Sequence, residues 1–189
     1  LQDTNKISID SNTDQSIEDA VDFIADLRQI NDFSSLPIGR NVVVIGGGMT
    51  AIDAAVQSQL LGAEKVTIIY RRNLENMSAS KKEQNNATSK GVKIITNAIP
   101  TSINKQNGVH KLSLSYTEVE KQSGKLKELD QKFSIEADQI FCAIGQKFNN
   151  LLDVFKSNKG KIMIDESCKT SVENVWAGGD CVDQGEDLT

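Results

Sequence analysis

Residues 42–53 read VVVIGGGMTAID, four branched apolar residues running straight into three glycines. An unbroken apolar run such as Val42 to Ile45 suits a parallel strand covered on both faces, because neither face has to meet water. After the glycines, AIDAAVQSQLLGAEK at 51–65 has helical spacing and closes on Gly62, and VTIIY at 66–70 is a second strand. The spacing Gly46-x-Gly48-x-x-Ala51 therefore stands between a strand and a helix, where it matches the turn that receives a dinucleotide pyrophosphate. The first glycine permits the tight turn, the second lets backbone approach phosphate, and the small third residue lets the helix pack on the strand. Gly47, Met49 and Thr50 complete the turn; Met49 and Thr50 lie at the helix start, under the phosphates or the nicotinamide ribose. Free N–H groups of the first helical turn then face the anion. Asp53 reads as a first-turn partner of the helix dipole rather than a ligand contact. A glycine turn that serves packing alone is the plainer alternative.

Upstream, SIEDAVDFIADLRQI at 16–30 carries Ile17, Ala20, Val21, Ile24, Leu27 and Ile30 on one side, which predicts an amphipathic helix with Ser16 as N-cap. Pro37 and Gly39 break the chain before the first strand. Downstream come a polar helical stretch at 78–90, a strand VKIIT at 92–96, and two alternating segments, KLSLSYTEVE and KLKELDQKFSI, that form an antiparallel hairpin with Gly124 in its turn. Another apolar run, DQIFCAIG, ends at Gly145. The pattern predicts an α/β fold: a Rossmann-like parallel sheet with flanking helices, plus an antiparallel β-meander.

Composition narrows the function classes. With 189 residues and 38% hydrophobic content, the chain can bury a sizeable core. No apolar run approaches the roughly 20 residues that span a bilayer, and the polar start LQDTNKISID is no secretory leader, so the cytoplasm is the expected compartment. A net charge of -5 disfavours nucleic acid and anionic membranes as partners. Cys142, Cys168 and Cys181 are widely spaced, and His110 is the one histidine, so neither a disulfide framework nor a metal site is expected. Cys142, within an apolar strand, reads as core, and His110, beside the hairpin, as a surface residue.

The residues after the second strand bear on which dinucleotide is bound. An NAD site usually places a carboxylate there for the adenosine ribose, whereas an NADP site offers arginine to the 2′-phosphate. This chain has Tyr70, Arg71 and Arg72. Paired guanidiniums suit bidentate phosphate contacts and point to NADPH; two solvated surface arginines are the alternative, and nearby Glu75 keeps NADH open.

Four segments in order, VVVIGGGMTAIDAA, VTIIYRR with ENMSAS after it, DQIFCAIGQ, and VENVWAGGDCVDQGEDLT, give the chain a resemblance along nearly its whole length. It is similar to the pyridine-nucleotide-dependent flavoproteins that include the small subunit of bacterial glutamate synthase and the flavin part of dihydropyrimidine dehydrogenase. That resemblance implies an NAD(P)H-binding domain inserted into an FAD-binding domain, with hydride passing from nicotinamide to flavin. It implies that Ala143, Ile144 and Gly145 form the hinge leaving the inserted domain, and that Gly179 and Asp180 of AGGD meet the flavin's ribityl chain, with the helix start at 185–188 near its pyrophosphate. An earlier FAD glycine turn and N-terminal iron–sulfur cysteines are missing from the sequence. The chain therefore reads as a fragment: residues 1–38 as connection from the FAD domain plus a helix, 39–147 as the NAD(P)H-binding domain, and 148–189 as the returning part of the FAD-binding domain. FAD is expected in the full-length protein and not in this piece, which on its own should be inactive.

Hydride transfer needs no side-chain acid or base, because the cofactor carries the chemistry, so no catalytic residue is assigned. The resemblance implies a downstream electron-accepting subunit, such as a glutamate synthase large subunit or a pyrimidine-reducing subunit, with an NADH-using dihydropyrimidine dehydrogenase-type subunit as the alternative. A non-catalytic nucleotide-sensing module is the competing class, and the AGGD segment, which a sensor does not need, argues against it. Leu151, Leu152, Val154, Phe155, Ile162, Ile164, Val175 and Trp176 are expected to be exposed in the isolated tail, which then either self-associates or stays mobile.

Overall fold

The computed structural model describes residues 2–5, 7, 9–11, 17–106, 108–120, 123–148, 154–158 and 160–183. In chain order the elements are β1 (Gln2–Thr4), β2 (Asp10–Ser11), β3 (Glu18–Asp19), α1 (Ala20–Gln29), β4 (Asn41–Gly46), α2 (Met49–Leu60), β5 (Lys65–Ile69), α3 (Lys81–Ser89), β6 (Lys93–Ile95), β7 (Ala98–Gln106), β8 (Val109–Val119), β9 (Leu126–Ala137), β10 (Gln139–Ala143), β11 (Gln146–Phe148), β12 (Ser157–Asn158) and β13 (Lys161–Ile162). The chain forms two compact units, residues 6–145 and residues 1–5 with 146–189.

The larger unit is built on a parallel five-stranded sheet in the order β3-β10-β4-β5-β6. Successive side chains of a strand point to opposite faces, and here both faces are covered. Val42, Val44, Val66, Ile68 and Phe141 join a core with the helices, while Val43, Ile45, Ile69 and Ile140 join a second core with the antiparallel sheet. The unbroken apolar run at 42–45 thus has a partner on each side. On the helical side, Phe23 of α1 stacks on Phe141 with ring centroids 4.4 Å apart. Helix α3 is polar and owes its start to a capping box in which Ser80 and Glu83 satisfy each other's backbone N–H.

The second sheet runs β2-β7-β8-β9. The β8–β9 hairpin expected from sequence is present, with Gly124 at a φ of 66° in its connection. Strand β7 joins it as a third antiparallel strand; its Pro100 stands at a register shift, where a missing N–H is tolerated.

Three expectations need correction. Helix α1 begins at Ala20, not near residue 16, because Glu18 and Asp19 pair with Phe141 and Cys142 as a short edge strand. Asp19 is the cap, accepting a hydrogen bond from Val21 N–H at 2.8 Å, and Ser16 lies outside the described residues. His110 is not a surface residue: it is 6% exposed, because the pleat of β8 places it with buried Leu112 and Leu114. In the smaller unit Val154 and Trp176 are exposed as expected, at 69% and 58%, but Ile162 is buried through its bridge to Val182. Phe155, Ile164 and Val175 are half-buried, and Leu151 and Leu152 lie outside the described residues.

Candidate functional site

Strands β10, β4 and β5 run side by side and in parallel, so their carboxyl ends form one edge. Ligands of open α/β sheets bind in the crevice outside such an edge. Three of the sequence segments meet there: Gly46 to Ala51 after β4, Tyr70 to Arg72 after β5, and Ala143 to Gly145 after β10.

Gly46 pairs with Ala143 across the sheet and has a φ of +154°. A Cβ at this position would run into the Ala143 carbonyl oxygen, so no other residue fits without a shift of backbone. At Gly47 an added Cβ would strike the ring of Tyr70, which packs against the turn. The Tyr70 hydroxyl donates to the Asn76 carbonyl, tying the ring to the segment that follows the arginines. Gly48 is the N-cap of α2, in extended conformation, with no side-chain cap. Its carbonyl accepts from Ala51 N–H at 3.1 Å and Ile52 N–H at 3.2 Å. An added Cβ there would meet only the Ser78 hydroxyl, at 3.3 Å, so the backbone is open to close approach by a ligand. Ala51 is wholly buried, as the third small residue of the motif should be. Asp53 falls one residue past the first turn of α2, which holds no acidic residue, so it is not the first-turn partner expected. Burial raises its carboxyl, opposed by Arg28 and aided by Glu83.

The segment 73–79 forms a wall beside the turn. Ala79 N–H donates to the Gly47 carbonyl at 3.1 Å, and the Ser78 hydroxyl approaches the same oxygen at 3.4 Å. Met77 and Ala79 are buried in the helical core, which fixes that wall. Sequence reasoning placed Ser78 and Ala79 in the helical stretch 78–90, whereas α3 begins only at Lys81 behind its Ser80 cap, and Met77 and Ala79 are buried with Ser78 exposed between them. Arg71 is exposed and Arg72 half-buried, and among the described residues neither guanidinium is paired with a carboxylate. Glu75 stands exposed in the short 3₁₀ turn Leu74–Asn76.

At the end of β10, Ala143 is buried, Ile144 exposed, and Gly145 has a φ of +97°. Cys142 is half-buried in the strand, and burial pushes its thiol up, away from the reactive thiolate. Gly179 belongs to the other unit, where its φ of +74° opens the 3₁₀ turn Gly179–Cys181. The Asp180 side chain and residues 185–188 lie outside the described residues. No group of three or more His, Cys, Asp or Glu among the described residues is arranged to hold a metal ion, and no described helix is long and apolar enough to cross a membrane.

The carboxyl edge thus joins an open backbone at Gly48 to a loop carrying two arginines that have no carboxylate partner among the described residues. The family model described as pyridine nucleotide-disulphide oxidoreductase matches residues 5–189. The chain belongs to this family. Among its relatives, the glutamate synthase [NADPH] small chain of Escherichia coli K12 is 32% identical over 166 residues, covering 79% of this chain and 35% of its own length. The NAD-dependent dihydropyrimidine dehydrogenase subunit PreT of Salmonella typhimurium is 31% identical over 168 residues, covering 88% and 36%. The chain thus spans about a third of the length of these curated relatives. The crystal structure of thioredoxin reductase from T. acidophilum superposes with a TM-score of 0.70 at 19% identity, over 97% of this chain and 56% of that one, and shares the fold.

Proposed function

We infer that this chain is the NAD(P)H-binding part of a flavoprotein oxidoreductase that takes NADPH and delivers its hydride to FAD. Residues 39–147 hold the nucleotide in this reading, and residues 148–189 belong with the flavin-binding domain. Gly46 to Ala51 receive the pyrophosphate, Ala143 to Gly145 line the edge beside it, and Gly179 and Asp180 serve the flavin. Bound NADPH supplies the hydride, and the chain's residues bind it, orient it and exclude water. The electron acceptor is a further subunit, as the names of the two relatives suggest.

One observation carries the choice of NADPH: Arg71 and Arg72 follow β5 after Tyr70 at the carboxyl edge, without a carboxylate partner among the described residues. Charge-assisted hydrogen bonds to a phosphate are worth about 1.5 to 3 kcal/mol each, less where solvent reaches the site. Changing both arginines to Ala should therefore lower NADPH affinity by one to a few powers of ten, at about 1.4 kcal/mol per tenfold, and leave NADH affinity nearly unchanged. Titration of wild type and double variant with both nucleotides tests this, and added salt should narrow the difference. Equal losses for both would assign the arginines to the fold. A wild type that prefers NADH would favour the second reading, an NADH-using subunit like the NAD-dependent relative, for which Glu75 is the available carboxylate.

A further inference from the structure

The two arginines are long side chains on a loop, and their aim is set by the main chain that carries them. That main chain is held from one side by a network reaching in from the antiparallel sheet. The Thr117 hydroxyl donates to the Arg71 carbonyl at 2.7 Å, across 46 positions of sequence. Thr117 N–H donates to the Asn97 carbonyl at 2.8 Å, and Asn97 N–H in turn donates to the Arg72 carbonyl at 3.0 Å. Tyr70 is fixed on both sides, its N–H to the Ile95 carbonyl and its carbonyl to Ala98 N–H. Beyond the pair, the Asn73 side chain caps the next turn by accepting from Asn76 N–H at 3.0 Å.

The strand is shaped for this contact. Along the odd-numbered face of β8, Lys111 is exposed, Ser113 half-buried, and Ser115 and Thr117 buried, so this face enters the interior as it nears Arg71. Asn97 sits at a φ of 53°, left-handed backbone that asparagine tolerates better than most residues. A buried hydroxyl gains its hydrogen bond only where a partner is placed for it, and here the partner is a main-chain oxygen of the selectivity loop.

We propose that Thr117, with Asn97, is a positioning residue for recognition of the nucleotide's 2′-phosphate. It fixes the Arg71–Arg72 peptide so that the two guanidiniums converge on one anion instead of sampling solvent. Pre-ordering of this kind raises affinity by cutting the entropy lost on binding. The inference rests on the assignment of the arginines to the phosphate, and it extends the selectivity determinant from the loop to a strand of the second sheet.

Thr117→Val keeps the branched shape and removes only the hydroxyl. In the 189-residue chain it should weaken NADPH binding about two- to tenfold, the range of one net hydrogen bond, with NADH affinity unchanged. Thr117→Ser, which restores the hydroxyl, should recover NADPH affinity. A purely structural role would lower both affinities together or shift the thermal midpoint alone. An NADPH-selective wild type whose selectivity survives in Thr117→Val overturns the inference and leaves the arginine assignment standing. A wild type that binds both nucleotides alike overturns that assignment, and the inference with it.

Discussion

His110 shows how a single residue can be misplaced by its neighbours in sequence. Polar surroundings, Asn107 to Lys111, suggest a surface site, yet strand parity buries the ring with Leu112 and Leu114, and among the described residues its Nδ1 finds no hydrogen-bond partner. Burial and then nearby Lys105 hold its pKa below the ordinary 6.5, while Asp138 and Glu18 pull it back up. The unfolded chain therefore takes up a proton that the folded one resists. Stability is complete above about pH 6.5 and falls as pH drops from there toward the lower folded value. Urea midpoints measured from pH 7.5 down to 5 should decline less steeply in His110→Phe than in wild type; parallel declines would show that the ring is not the group responsible.

At the scale of elements, strand β4, helix α2 and strand β5 were legible because their apolar runs and their glycines answer to local rules. Strand β7 was not, since Pro100 and the run Thr101, Ser102, Asn104, Lys105 mask a pattern that only pairing with β8 reveals. The start of α1 was missed for a similar reason: β10 recruits Glu18 and Asp19 as an edge strand, a tertiary choice that helical periodicity does not encode. The candidate site divides along the same line. Its glycines and arginines follow from spacing, whereas the Tyr70 ring on Gly47 and the Thr117 bond to Arg71 come from chain segments brought together by folding. Helix α3 is the element most dependent on local chemistry, with only Gln84 and Ala87 buried. Ser80→Ala removes half of its capping box and should cost about 1 kcal/mol. A loss measured by chemical denaturation that stays under a few tenths of that would mean that Met77 and Ala79 alone hold the helix start.

The whole chain joins two units of unequal order. In the larger, the parallel sheet is buried on both faces; in the smaller, regular structure among the described residues consists of two- and three-residue strands, single bridges and one 3₁₀ turn. Opening free energy follows buried apolar contact. Amide exchange should be slowest at Val42 to Ile45 and Val66 to Ile69, and markedly faster from Val154 to Asp183. Uniform protection in a dilute monomeric sample would contradict this, and protection of the tail that grows with concentration would point to self-association through exposed Val154 and Trp176.

Gly46 has a further consequence for how the sheet assembles. A strand with one wet face is kept in alignment by the penalty of turning that face inward. Strand β4 lacks that safeguard, since sliding it by one position would exchange valine for valine on either side. What separates the correct alignment from a slip that brings Ile45 opposite the Ala143 carbonyl is the absence of a side chain there, where any residue but glycine would jam. The glycine thus acts as a notch that stops the central strand from sliding one way against its neighbour, so that the turn of the candidate site also helps to index the sheet.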